Sequence, residues 1–434
     1  MTEPRERLPE ESLLLEKAAR YFPGGVLGTY RFPRDLAFVV KRARGSKLYD
    51  ASGREYVDYL LGSGPLILGH AHPAVVAAVA EQLSKGTTYF LANEPIIQLA
   101  EELVNAVPCA EKVRFTSTGS EATFFALRLA RAYRKRDKIL KFEGGFHGNH
   151  DYSLMSATPK SPKAFPAATP DSAGIPHVLE GEVLVAPYND LATTDALLAV
   201  YADQLAAVIV EPFQRVIPPR QGFLQGLRAL TGRYQIPLIF DEVVTGFRFA
   251  YGGAQEYYGV VPDLTAHGKI LGGGFPLAAV AGREAIMRSL DPSLEGTPDF
   301  VAQVGTLNGN PVAAVAGLAT LAELRTPGAY QRFHRIGAMA REGLAELVKR
   351  RGYPVQVIGE APVFDLFFTD RPIEDYRSAL TSDAALLKAF NQECLKRGVL
   401  KGSQKFYVSL AHTEADVDRT LEAFAGAFEA LPWR

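Results

Sequence analysis

A single lysine, Lys269, sits in the glycine-rich, apolar stretch GKILGGGFPLAAVAG, with Asp263 and His267 just before it. Burial lowers a lysine's pKa and leaves a neutral amine, which is a nucleophile towards carbonyl carbon. A lysine whose stem crosses apolar surface to reach water is the other reading of the same residues. Asp241 is a second candidate: the apolar run from Ile236 to Phe240 ends in Asp241 and Glu242. That pattern sends a carboxylate to the carboxyl end of a strand, where open α/β sheets bind ligands, although a helix cap or ion-pair partner would look alike.

Ser117, Thr118, Gly119 and Ser120 form a third candidate, between the apolar KVRF and a segment in which Ala122, Phe125, Ala126, Leu129, Ala130 and Tyr133 follow a helical rhythm. Free backbone N–H groups at such a helix start attract an anion, and a phosphate fits. An ordinary N-cap with Glu121 in the first turn uses the same residues. His147, His150 and Asp151 suggest a metal cluster, but no second ligand group of suitable spacing lies nearby, so no metal is expected.

These residues need a scaffold that holds them together. KVRFTS, LAAVIVEPF, IPLIFDEV and PLAAVAG are short apolar runs between helical patterns. They predict an α/β fold with a mostly parallel sheet covered by helices on both faces. After about residue 310 longer helices mix with the strand-like APVFDLFF and KFYVSLA. We expect a large domain over 61–310 and a small α+β domain over 311–434, joined by the N-terminal segment 1–60. The Pro-, Ala- and Ser-rich stretch 157–176 reads as a long surface loop.

Charge narrows the partners. Lys plus Arg number 47 against 48 for Asp plus Glu, a net charge of −1, so no basic field points to nucleic acid or an acidic membrane. Small molecules are the expected partners. Cys109 and Cys394 stand far apart without metal-ligand spacing, the N-terminus has no signal-peptide pattern, and no apolar run reaches spanning length. A reduced, cytoplasmic setting is expected.

Taken in order, TGSEA, GGFHG, VEPF, FDEVVTGFR, GKILGGGFP and GTLNGNP, with PGGV, LGHAHP and FYVSLAHT outside them, make the chain similar to the class III aminotransferases of fold type I. The branch containing glutamate-1-semialdehyde 2,1-aminomutase is the nearest in pattern. The resemblance implies pyridoxal 5′-phosphate (PLP) as cofactor. It implies that Lys269 binds the cofactor as a Schiff base and later carries the proton, and that Asp241 pairs with the pyridine nitrogen. Thr118, Gly119 and Ser120 match the phosphate turn, Phe146 the aromatic stacked on the ring, His147 a neighbouring contact and Val243 the residue behind the ring. Glu211 matches the acid near the ring hydroxyl. Gly305 and Thr306 match the loop that reaches the phosphate of a neighbouring subunit, which implies a homodimer with shared active sites.

The departures fall on the substrate side. Aminomutases carry Ser-Pro-Val-Arg after PGGV, where this chain has LGTYR and keeps only Arg31, a carboxylate clamp by that resemblance. Ser63 stands where they have tryptophan. The loop VLKGSQK lacks the arginine many transaminases use for a second carboxylate, leaving Lys401 and Lys405 as its cations. The expected activity is therefore a transaminase moving an amino group between an amino acid or amine and a keto acid or aldehyde. The aminomutase, which serves tetrapyrrole synthesis, is the alternative.

Overall fold

The computed structural model describes residues 6–433; residues 1–5 of the N-terminal segment and residue 434 lie outside them. The chain folds as two compact units. One comprises Pro73–Pro327 with Pro372–Ala379, and the other Met1–His72, Gly328–Arg371 and Leu380–Arg434.

The first unit is built on a seven-stranded sheet. From edge to edge its strands are Lys112–Thr116, Ala278–Gly282, Leu264–His267, Leu238–Asp241, Leu205–Val210, Lys138–Phe142 and Val183–Ala186. Ala278–Gly282 runs antiparallel to both neighbours, and the other pairings are parallel. Leu205–Val210 (LAAVIV) is buried at every position, as expected of a strand covered on both faces, where hydrophobic residues need not alternate with polar ones. Helix Gly119–Arg134 packs on the sheet through Ala126, Leu127, Leu129 and Ala130, which join Ile209, Ile239 and Val280 in one core. Tyr133, in phase with that face by its spacing, is instead 51% exposed in the helix's last turn.

The stretch expected as a surface loop is partly core. Ala157, Ala168 and Ile175 are buried, and short bridges join Pro170 to Met155 and Ala167 to Leu184.

In the second unit, Val40–Arg44, Lys47–Asp50 and Glu55–Asp58 form an antiparallel set that Val399–Leu400 extends in parallel. A three-stranded antiparallel sheet, Gln356–Glu360, Val363–Phe367 and Phe406–Tyr407, and the helices Ala329–Arg351, Ala384–Lys396 and Glu414–Glu429 complete it.

Candidate active site

The sheet of the first unit brings the chemistry to one edge. Its parallel strands point the same way, so their carboxyl ends lie side by side. Glu211 follows Val210, Asp241 ends its own strand, and Gly268 and Lys269 follow His267. Phe146 and His147 follow the strand ending at Phe142, and Ser117 follows Thr116. Residues far apart in sequence thus meet where open α/β sheets bind ligands.

Asp241 is buried and fixed on both oxygens. His147 Nδ1 lies 2.8 Å from Oδ2, and the Val243 N–H donates to Oδ1 at 3.1 Å. Burial, reinforced by the charge of Lys141, pushes the imidazole down to about 3, so near neutral pH Nδ1 carries the only ring proton and donates it. Nε2 of the same ring is buried without a hydrogen-bond partner.

The His147 loop is itself tied down. Lys141, fully buried and lowered to about 7 by desolvation, donates to the carbonyls of Gly145 (2.9 Å) and Ser153 (2.7 Å). The His147 N–H donates to Ser153 Oγ at 3.0 Å. Between the buried Gly145 and His147, Phe146 has 36% of its surface exposed.

At Thr118 the two readings of the turn prove compatible. Its hydroxyl accepts from the Glu121 N–H in a full capping box, and the Glu121 carboxylate accepts from the N–H groups of Ser117 and Thr118. That leaves the N–H groups of Gly119 and Ser120 at the positive helix end with no acceptor among the described residues. Gly119 is required: a Cβ there would come within 2.9 Å of the Val243 methyls. Val243 packs on Ala122, Ala266 and Ala278 and so lies between this turn and the start of the Lys269 segment.

Lys269 is half-buried and opens a short 3-10 turn, Lys269–Gly272, with φ 49. Left-handed backbone at a residue other than glycine is strained, and such strain gathers at functional positions. Gly305 and Thr306 lie in a loop anchored next to the phosphate turn. Gln303 Nε2 donates to the Phe115 carbonyl at 2.9 Å, and Ser117 Oγ to Asn308 Oδ1 at 3.3 Å. Thr306 itself is exposed.

Arg31 and Ser63 belong to the other unit, both exposed, Ser63 at φ 68. Lys401 is not a free cation: its Nζ lies buried, 2.8 Å from Asp365 Oδ1 and 2.9 Å from Asn391 Oδ1. Lys405 lies 5.9 Å from the centroid of the Tyr407 ring. Among the described residues no group of three or more His, Cys, Asp or Glu could hold a metal ion. His147 faces Asp241, and His150 Nε2 lies 3.2 Å from Thr123 Oγ1. Lys141 and Arg215 carried no signal in sequence, because their meaning comes from contacts with the His147 loop.

A sheet of this order with a lysine, an aspartate and an open helix start at one edge defines a fold type I PLP enzyme. The chain belongs to the class-III aminotransferase family, whose model matches residues 31–428. Glutamate-1-semialdehyde 2,1-aminomutase 2 of Brevibacillus brevis is 42% identical over 94% of this chain and 96% of its own. An omega-transaminase from Sphaerobacter thermophilus has a TM-score of 0.91 and 37% identity, covering 96% of this chain and 97% of its own. A transaminase solved with PLP bound has a TM-score of 0.88 and 30% identity, covering 98% of each chain. The unpaired N–H groups of Gly119 and Ser120, the fixed carboxylate of Asp241 and the half-exposed ring of Phe146 fit that cofactor. Among the described residues no helix is long and apolar enough to cross a membrane.

Proposed function

We propose that the protein is a glutamate-1-semialdehyde 2,1-aminomutase, which moves an amino group from carbon 2 to carbon 1 of one substrate molecule. The observation that carries this reading is the near full-length match to curated relatives of that name. It takes precedence over the transaminase expected first from the sequence. Transfer between two molecules is a second reading, favoured by Ser63 in place of tryptophan and by the omega-transaminase likeness.

Bound PLP supplies a carbonyl that takes up the amino group and a ring that draws electrons from the carbon losing its proton. The chain's residues then divide the remaining work. Lys269 Nζ would hold the cofactor and, as a free amine, would hold and move the substrate proton. Asp241, oriented by neutral His147, keeps the ring nitrogen protonated. Gly119 and Ser120 hold the phosphate through their N–H groups, with Thr118 maintaining the helix start that presents them. Phe146 and Val243 would bound the ring, Glu211 would serve its hydroxyl, and Arg31 would meet a substrate carboxylate. A cytoplasmic homodimer completes the reading, with Gly305 and Thr306 serving the partner's phosphate. The exposed apolar side chains of Phe90, Leu91, Val304 and Leu307 in the cofactor-bearing unit support it.

The test supplies glutamate-1-semialdehyde alone to the holoenzyme. Formation of 5-amino-4-oxopentanoate without any added amino acceptor is the expected result. Product that appears only when a separate donor or acceptor is added overturns the aminomutase reading in favour of the transaminase.

A further inference from the structure

Beyond Glu211 the chain makes a tight turn whose tip carries a guanidinium. Gln214 and Ile217 exchange both backbone hydrogen bonds, at 3.1 and 2.8 Å, leaving Arg215 and Val216 at the tip. Arg215 has φ 61, a left-handed conformation that two-residue turns normally give to Gly, Asn or Asp. The fold accepts this strain with one of the longest side chains, and strained backbone is a pointer to function. The turn is also tied to the site, because the Arg215 N–H donates to Glu211 Oε2 at 3.1 Å.

The guanidinium carbon lies 5.5 Å from the centroid of the Phe146 ring, the exposed aromatic of the His147 loop. Its charge acts on Lys141, His147 and Tyr376, lowering all three, which places it on the His147 side of the sheet edge. Yet among the described residues no carboxylate lies within ion-pair distance of it. A half-buried guanidinium with no anion, beside the ring that bounds the cofactor, is a receptor for a planar anion, and a carboxylate matches its two parallel N–H groups.

We propose that Arg215 is a specificity-determining residue that binds the free carboxylate of the substrate beside Phe146. The inference rests on the reading above that the substrate carries a carboxylate away from the reacting carbons. That substrate has one carboxylate, so the proposal gives Arg215, inside the cofactor-bearing unit, a share in the contact assigned above to Arg31.

Glutarate, a five-carbon dicarboxylate with neither amine nor aldehyde, is the probe, because its binding needs no turnover. Its dissociation constant is measured by calorimetry on PLP-loaded parent enzyme, Arg215→Ala, Arg215→Lys and Arg31→Ala. We expect Arg215→Ala to weaken glutarate about 10- to 100-fold, the range for a lost charge-assisted pair, and Arg215→Lys to weaken it less. Cofactor content and the half-reaction with butan-1-amine should stay within about threefold of the parent, since neither uses that contact.

Three results overturn the proposal. One is no measurable glutarate binding to the parent enzyme. Another is unchanged binding in Arg215→Ala. The third is a loss of cofactor and of the butan-1-amine reaction equal to the loss of glutarate, which makes Arg215 a support for Phe146. A failed aminomutase assay with glutarate binding still dependent on Arg215 refutes the proposed reaction and leaves the anchor standing.

Discussion

Each unit buries an aspartate against a nitrogen base, and the two pairs differ in what they leave for a ligand. In the smaller unit, Lys401 meets Asp365 at 2.8 Å and Asn391 at 2.9 Å, with its Nζ 4.6 Å from the centroid of Phe406. Burial raises the Asp365 carboxyl and the lysine pulls it back, so charge cancels charge inside the pair. In the cofactor-bearing unit, Asp241 meets His147 at the same 2.8 Å, but the imidazole is held neutral by burial. It donates a hydrogen bond without neutralising the carboxylate. The first pair is closed and serves the fold; the second is oriented and suited to a cation brought by a ligand, such as a protonated ring nitrogen.

The largest break in this comparison comes at Lys269. Lys269→Ala should abolish covalent cofactor attachment and nearly all turnover, because an imine needs a primary amine. Borohydride reduction and peptide mapping check it, and a label on another lysine refutes the assignment. Next is Asp241→Asn, which keeps the shape and removes the charge. We expect kcat to fall about 10²- to 10³-fold, roughly 3–4 kcal/mol, while PLP is retained. Near-normal turnover would show that the oriented carboxylate is dispensable.

Lys401→Met tests the closed pair. It leaves the Asp365 carboxyl buried without its ion-pair partner, so stability should fall by about 3–5 kcal/mol in denaturant unfolding. Adding Asp365→Leu should restore most of it, since removing both charges removes the need for pairing. A double mutant as unstable as the single one would show that the pair does more than satisfy itself.

Glu242 sharpens the contrast from beside Asp241. Its carboxyl is buried and accepts from the Ala254 N–H (2.6 Å), Thr245 Oγ1 (3.0 Å) and Gln255 Nε2 (3.0 Å), yet desolvation raises it from 4.5 to about 7. The folded state therefore holds its proton where the unfolded chain has released it, and stability falls as pH rises from about 4.5 to 7. The difference amounts to up to about 3 kcal/mol. Glu242→Gln should remove that slope, read as Tm against pH for variant and parent. Parallel curves would refute it.

Sequence made the candidate site residues legible where each marks a local boundary. Asp241 closes an apolar run, Lys269 stands alone among glycines, and Thr118–Ser120 bridge a strand and a helix. Those signals need only neighbours in the chain. Lys401 was misleading because its partner, Asp365, lies on a strand of another sheet, so its burial is set by tertiary contact. Arg215 and Lys141 were silent for a similar reason, since what distinguishes them is a left-handed turn and two carbonyls on another loop. The unit boundaries are also non-local: Val399–Leu400 pairs with Val57–Asp58, and Pro372–Ala379 returns to the cofactor-bearing unit.

The smallest effect is expected at Thr118, where a residue matched to the phosphate turn has its side chain occupied elsewhere. Its hydroxyl accepts from the Glu121 N–H at 3.2 Å, and Glu121 returns a bond to the Thr118 N–H at 2.8 Å. Thr118→Ala should therefore cost about 1 kcal/mol of stability, the usual worth of an N-cap hydroxyl. The phosphate seat should survive, because the N–H groups of Gly119 and Ser120 are backbone and keep the positive helix end behind them. PLP affinity is expected to fall less than about threefold in the variant, measured by fluorescence titration of the apoenzyme. A tenfold or greater loss with little change in stability would reverse this division, making the hydroxyl a direct phosphate ligand that leaves its cap when the cofactor binds.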